Sequence, residues 1–178
     1  MKRTAYVIGL AAMLMAAASL AEDKARDPLA VRIVPTRTSE EGVRSICLYQ
    51  PADHFVVVVT NQSNEPIRLW REWCSWGWDT LTFRVTDGNG KTTDVRKGDR
   101  EWSANYPEAT LLQPGDHMVF EVAFDQETWR DAPLPGKGNS REIRMKAVFR
   151  IPADEQTREH KVWTGEVASP EAAYTISR

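Results

Sequence analysis

The residues best suited to binding chemistry lie in one short segment, residues 68–78, with the sequence RLWREWCSWGW. Trp76 and Trp78 have the spacing of side chains that share one face of a strand, and Gly77 between them permits a bulge or a turn. Indole rings give large apolar contact areas, and Trp and Arg dominate binding hot spots. The segment therefore predicts a surface for a protein or carbohydrate ligand, formed by Trp73, Trp76, Trp78, Arg68 and Arg71.

The same tryptophans have a second interpretation. Burial is the common outcome for side chains with so much apolar area. In that case the segment closes one end of the fold and covers a disulfide, and it offers no surface to a ligand. The sequence leaves both interpretations open.

The chain has two cysteines, Cys47 and Cys74. A bond between them would close a loop of about 27 residues, which the chain-entropy description values at about 3.5 kcal/mol. An oxidising compartment favours such a bond, whereas two unrelated buried thiols are the alternative. We expect a disulfide between Cys47 and Cys74, with separate thiols as the other possibility.

Motifs for catalysis or for metal binding are missing from the sequence. His54, His117 and His160 fall on separate predicted strands, and no spacing typical of metal ligands connects them. The chain also lacks a Gly-x-Ser-x-Gly nucleophile elbow and a glycine-rich phosphate loop. We expect no metal, no cofactor and no catalytic activity. A small hydrolase whose carboxylates the sequence does not single out is an alternative.

Another alternative concerns the loop of residues 131–139, with the sequence DAPLPGKGN. Proline on either side of Leu134 would stiffen an exposed loop, and a stiff loop enters a protease cleft at a lower entropic cost. The loop therefore predicts a protease inhibitor acting through Leu134. An ordinary connection stiffened by proline has the same composition.

The elements that must position these residues are strands. Apolar side chains alternate with polar ones through residues 81–85, 118–124 and 143–151, and residues 55–59 form an unbroken apolar run. The sequence also predicts strands over residues 66–73 and 160–168, whereas no segment shows convincing helical periodicity. Turn residues separate the strands at short intervals. The pattern predicts an antiparallel β-sandwich of about eight strands.

The first 21 residues have the tripartite pattern of a secretory signal peptide: a positive start, an apolar stretch and a small-residue site ending at Ala21. We expect residues 22–30 to be a linker and residues 31–178 to be one domain, exported to the periplasm or the extracellular space. The formal net charge is −2. This balance gives no electrostatic support for a nucleic-acid partner, or for a membrane partner after signal cleavage.

Three stretches carry a resemblance to a known family: VVVTNQSNEPIRL (57–69), FRVTDGNGK (83–91) and LLQPGDHMVF (111–120). Their order of strands and turns resembles an Ig-like sandwich of exported bacterial proteins and is similar to the bacterial intracellular proteinase inhibitor family. The end of the chain, VWTGEVAS (162–169), resembles the closing strands of exported Ig-like domains. The resemblance implies an Ig-like fold. From the export signal, the missing catalytic motifs and the tryptophan-rich segment, we expect an exported, non-catalytic interaction or ligand-binding module.

Overall fold

The computed structural model describes residues 27–178, which form thirteen strands and two short helices. The predicted signal peptide and the first residues of the predicted linker lie outside the described residues. The first strand begins at Leu29, within the last residues of the predicted linker. The strands are β1 (Leu29–Val34), β2 (Arg37–Thr38), β3 (Arg44–Cys47), β4 (Phe55–Asn61), β5 (Ile67–Trp70), β6 (Leu81–Asp87), β7 (Thr92–Lys97), β8 (Ala109–Leu112), β9 (His117–Val122), β10 (Trp129–Arg130), β11 (Ser140–Ile151), β12 (Gly165–Ala168) and β13 (Ala172–Ser177). The helices are α1 (Ser75–Trp78) and α2 (Glu155–Glu159).

The smaller main sheet contains three antiparallel strands in the order β1-β4-β9. Phe55, Val57 and Val59 of the central strand β4 are buried, whereas Val56 and Val58 on its other face are half-buried. The apolar run in this strand therefore reflects its central position, and burial is complete on one face alone. Strand β9 forms one edge of this sheet, because β4 is its neighbour on one side and no described strand pairs with the other side.

The larger main sheet has eight strands, with β11 at its centre. One edge of β11 pairs with β6, and the other edge pairs first with β13 and then with β12. The β13–β3 pair is parallel, whereas the other pairs of this sheet are antiparallel. The predicted alternation along residues 143–151 is confirmed, since these side chains are all buried: Ile143, Met145, Ala147, Phe149 and Ile151.

The core lies between the two main sheets and is rich in aromatic contacts. Phe55 of β4 meets Phe83 of β6 edge to face at 5.7 Å, and the Phe120 and Phe149 rings lie 5.9 Å apart. Two sheets that bury one face each against the other make an all-β, sandwich-like fold, as predicted. The strand number exceeds the prediction because short strands such as β2 and β10 carry no alternating pattern.

A two-stranded ribbon of β5 and β8 carries the tryptophan-rich segment. The strand predicted over residues 66–73 ends at Trp70, and the chain then turns into α1. Asn105 caps this helical turn from a distant loop, because its Oδ1 accepts a hydrogen bond from the Ser75 N–H at 2.9 Å. A long-range cap of this kind leaves no signal in the local sequence.

The strand predicted over residues 160–168 begins at Gly165, because helix α2 and a loop occupy the preceding residues. Asp154 starts α2 with a capping box: its carboxylate accepts from the Thr157 N–H, and the Thr157 hydroxyl accepts from the Asp154 N–H. Helix α2 and the loop that follows it pack beside β5 and complete the end of the fold that carries the tryptophans.

Candidate functional site

The four tryptophans of residues 70–78 divide into a buried part and an exposed part. Trp70, at the end of β5, is 1% exposed. Its ring lies 6.0 Å from that of Trp76 and 5.3 Å from the imidazole of His160. Trp70 and Trp76 thus close one end of the sandwich, as the burial interpretation predicted for the whole segment.

Trp76 and Trp78 do not share a face, contrary to the prediction. They lie in a helical turn, where two residues of separation correspond to a rotation of about 200°. Trp78 therefore points away from Trp70 and towards the loop after β7, where its Nε1 donates a hydrogen bond to the Gly98 carbonyl at 2.8 Å. Trp102 meets Trp78 edge to face at 6.0 Å.

Two cations contact the Trp78 ring. The Lys97 ammonium lies 4.4 Å from the ring centroid, and the Arg100 guanidinium lies at 5.0 Å. Lys97 is buried and forms an ion pair with Glu72. Burial lowers the pKa of the Lys97 ammonium below its ordinary value, and the neighbouring Glu72 carboxylate opposes this shift. These contacts cover part of the Trp78 side chain, which is half-buried.

Trp73 differs from the other three because its side chain is 60% exposed. The Arg71 guanidinium lies over its ring at 4.8 Å, and the indole Nε1 donates a hydrogen bond to Oε2 of Glu108 at 2.7 Å. The second Glu108 oxygen lies 3.3 Å from Arg71 Nε, close enough for an ion pair but without hydrogen-bond geometry. Three contacts between three residues thus hold an exposed indole in one orientation.

A groove of about 240 Å³ begins beside this indole, and we call it the Trp73 groove. One wall comes from residues 71–73 and from the side chains of Thr110 and Leu112 on β8. Four consecutive residues of β9, residues 117–120, form the other wall. Consecutive strand residues point to opposite faces of a sheet, so the four together border a groove that runs along the edge of the strand.

The edge of β9 that borders the groove carries free backbone groups. The Asn61 N–H donates to the Asp116 carbonyl, so the antiparallel alternation makes Met118 and Phe120 the hydrogen-bonded partners of β4. The N–H and C=O of Val119 then point away from β4, and the described residues supply no backbone partner for them. Val119 is also 55% exposed, which is unusual for a β-branched apolar residue.

The structure does not bring the five predicted site residues onto one surface, and neither Trp76 nor Trp78 lines the Trp73 groove. Arg71 and Trp73 line the Trp73 groove, whereas Arg68 lies on the other face of β5 in a different cleft. Sequence reasoning missed Glu108, since 35 residues separate it from Trp73 and no pattern links the two. It also missed Val119, although an apolar residue at an outward position of an alternating strand is a signal for an exposed patch.

The predicted disulfide is wrong: Cys47 and Cys74 are both free thiols. Cys47 ends β3 in the large sheet, whereas Cys74 follows the β5–β8 ribbon and is buried beside α1. The Cys74 Sγ donates to the Arg71 carbonyl at 3.2 Å and so contributes to the turn before α1. Cys47 thus lies in the large sheet and Cys74 in the turn before α1, and their sequence separation gave no information on that placement.

The loop around Leu134 is packed against the body of the domain. Pro133 and Pro135 are buried, and Leu134 is half-buried against the hydrophobic core. This geometry does not favour a loop that projects into a protease cleft.

For metals, no group of three or more His, Cys, Asp or Glu side chains comes together within residues 27–178. In the same part of the chain, none of the helices has the length and apolar character needed to cross a bilayer.

No protein-family model matches the chain, and no significant match is found among curated proteins.

Proposed function

We propose that the protein is an exported, non-catalytic interaction module that binds an extended segment of a partner protein in the Trp73 groove. The observation that carries the proposal is the pairing of a held, exposed indole with the free edge of β9 along one groove. Each feature contributes a different part of peptide recognition.

The indole supplies an apolar anchor. Arg71 and Glu108 fix the Trp73 side chain before any ligand arrives, so little rotamer entropy remains to be lost on binding. Leu112 and Phe120 are buried behind the groove and give its floor an apolar character. An apolar side chain of the partner therefore fits between Trp73 and Val119.

The edge of β9 supplies the backbone contacts. An extended peptide that adds to this edge gains hydrogen bonds from the outward N–H and C=O groups of His117, Val119 and Glu121. These groups match any extended backbone, whereas the side-chain positions next to Trp73 provide selectivity. A carbohydrate can stack on an indole as well, but its hydroxyl groups do not repeat with the spacing of the alternating N–H and C=O groups of a strand edge. The geometry thus favours the protein ligand over the carbohydrate ligand.

The test begins with dodecapeptides displayed on phage and selected against the full exported protein. The selected peptides are synthesised, and their affinities are measured by calorimetry for the wild type and for three variants. Trp73→Ala removes the anchor, and we expect it to weaken binding by at least about 30-fold, as for an aromatic hot spot. Tyr49→Ala is the matched control, because Tyr49 is equally exposed but lies outside the groove.

A second pair of variants tests the strand edge. Val119→Pro removes an N–H that points away from β4, a position at which an edge strand tolerates proline. Val119→Ala keeps that N–H and is its control. We expect the proline variant to lose peptide binding and the alanine variant to retain most of it.

Several outcomes contradict the proposal. Peptides that bind equally well to wild type, Trp73→Ala and Val119→Pro would place the site elsewhere. Binding on a glycan array that depends on Trp73, with no peptide selected, would replace the protein ligand with a carbohydrate. A wild-type dimer that Val119→Pro converts to a monomer would make a second copy of the chain the occupant of the edge.

A further inference from the structure

A second cleft, of about 410 Å³, lies on the other side of the ribbon, between β5 and the loop that joins α2 to β12. Its volume falls within the range of small-molecule sites. Three cationic side chains line it, Arg68, Arg158 and Lys161, together with the apolar side chains of Ile67, Val162 and Trp163. We call it the cationic cleft.

The charge of this cleft is uncompensated. No carboxylate is among the residues that line it, and none of its three cations forms an ion pair within the described part of the chain. Asp154, the residue before α2, accepts the Thr157 N–H with its carboxylate in the capping box, and its backbone carbonyl accepts a hydrogen bond from Arg158 Nε. Three like charges around one concave surface repel one another, and an anion that enters the cleft relieves this repulsion.

Lys161 is in a backbone conformation that is unfavourable for lysine. Its φ is 54°, in the left-handed region where glycine is preferred. The Lys161 N–H donates to the Arg158 carbonyl and the Val162 N–H donates to the Thr157 carbonyl, the pattern of a Schellman motif that ends α2. Glycine is the usual residue at this position of the motif. Lysine therefore costs the fold some stability and adds an ammonium to the cleft.

The apolar wall is rigidly supported. The Trp163 ring stacks on Phe149 with an interplanar angle of 16°, and a β-carbon at Gly165 would come within 2.7 Å of the same ring. The backbone N–H of Trp163 donates a hydrogen bond to the Arg68 carbonyl at 2.9 Å and so connects the loop to β5 across the cleft. The cleft thus offers a fixed apolar wall beside a set of cations.

We propose that the cationic cleft binds a small organic anion, with its acidic group at Arg68, Arg158 and Lys161 and its ring or apolar part against Ile67, Val162 and Trp163. This site is separate from the Trp73 groove. The proposal for this site does not depend on the peptide proposal.

Phenyl phosphate, inorganic phosphate and phenol are the probes, titrated against the full exported protein by calorimetry and by amide chemical shifts. We expect phenyl phosphate to bind with a Kd below about 1 mM and more tightly than either fragment, because it alone uses both parts of the cleft. Its affinity should fall with added salt. We expect the Trp73→Ala variant to bind it as the wild type does.

Lys161→Gly distinguishes a ligand role from a structural one. Relief of the left-handed strain should raise the melting temperature by about 3 °C, while loss of the ammonium weakens phenyl phosphate binding about tenfold. Asp131→Gly is the matched control, because Asp131 also has a positive φ of 60° and lies outside the cleft. It should raise the melting temperature without changing the affinity.

Arg158→Gln tests a second cation of the cleft, and it should weaken phenyl phosphate binding by a factor similar to that for Lys161→Gly. Absence of any phenyl phosphate binding would overturn the proposal. So would affinities that are the same for wild type, Lys161→Gly and Arg158→Gln.

Discussion

Gly77 lies directly against the backbone of Arg71: a β-carbon at Gly77 would come within 2.0 Å of the Arg71 carbonyl oxygen. This close approach packs α1 against the end of β5, and the helical turn directs Trp76 and Trp78 to different sides. The φ of Gly77 is not in the left-handed region, so the space beside it, rather than its conformation, requires glycine. The glycine between the two tryptophans is thus a packing requirement.

Gly77→Ala should accordingly destabilise the domain by about 3 kcal/mol or more, because the contact is with backbone that has nowhere to shift. Denaturant unfolding, followed by tryptophan fluorescence, measures the change. Gly88→Ala is the control, since a β-carbon at Gly88 meets no atom within 4 Å. Equal unfolding free energies for the two variants would show that α1 does not need this close packing.

Lys97 makes the stability of the domain depend on pH in a defined direction. Burial lowers the pKa of its ammonium below the ordinary value of 10.5. Between the lowered pKa and 10.5 the unfolded chain binds a proton that the folded chain does not, so the free energy of unfolding rises with pH across that interval. Tyr174 acts in the opposite sense above its ordinary pKa of 10.0, because burial raises the pKa of its hydroxyl.

Lys97→Met removes the ammonium and keeps most of the apolar stem. Tyr174 is present in both proteins, so its contribution cancels when their free energies of unfolding are compared. We expect the free energy of unfolding of the wild type, relative to that of the variant, to increase as the pH is raised from neutral towards 10.5. Urea unfolding at a series of pH values measures this difference. Lys91→Met, at an exposed lysine, is the control for the loss of one positive charge. A difference that stays constant or shrinks would contradict the role of burial.

The free cysteines give a prediction that needs no mutation. Denatured, unreduced protein should contain two titratable thiols, because neither cysteine is paired in the structure. In the native protein the half-buried Cys47 should react with a thiol reagent before the buried Cys74 does. Finding no thiol in the denatured protein would restore the disulfide that the sequence led us to expect.

Asn61 should contribute strongly to stability through its buried amide. Its Nδ2 donates to the carbonyls of Glu65 and Leu112, and its Oδ1 accepts from the Ser63 N–H and hydroxyl. Asn61→Ala leaves these groups without partners and should cost about 2 kcal/mol or more. The exposed Asn64 in the same turn provides the control, since Asn64→Ala should change the unfolding free energy by less than about 0.5 kcal/mol. Similar costs for both variants would mean that the buried amide is not important.

The amino-acid sequence predicts those elements whose pattern is local. Alternation with period two gave the buried residues of β6, β9 and β11, since one face of each strand must be apolar to pack in a sandwich. It also drew attention to the tryptophan-rich segment. The sequence does not predict the order of the strands in the sheets, because pairings such as β13 with β3 join residues far apart in the chain.

The role of each tryptophan depends on contacts between distant parts of the chain. The turn into α1 depends on Asn105 from a distant loop and on close packing at Gly77, and it replaces the strand that local spacing predicted. Glu108, from another loop, accepts a hydrogen bond from the exposed indole of Trp73 and fixes its orientation. The free edge of β9 and the placement of Lys161 in the cationic cleft likewise follow from which elements become neighbours. A local pattern records burial on a face, whereas a site depends on which faces and edges the fold brings together.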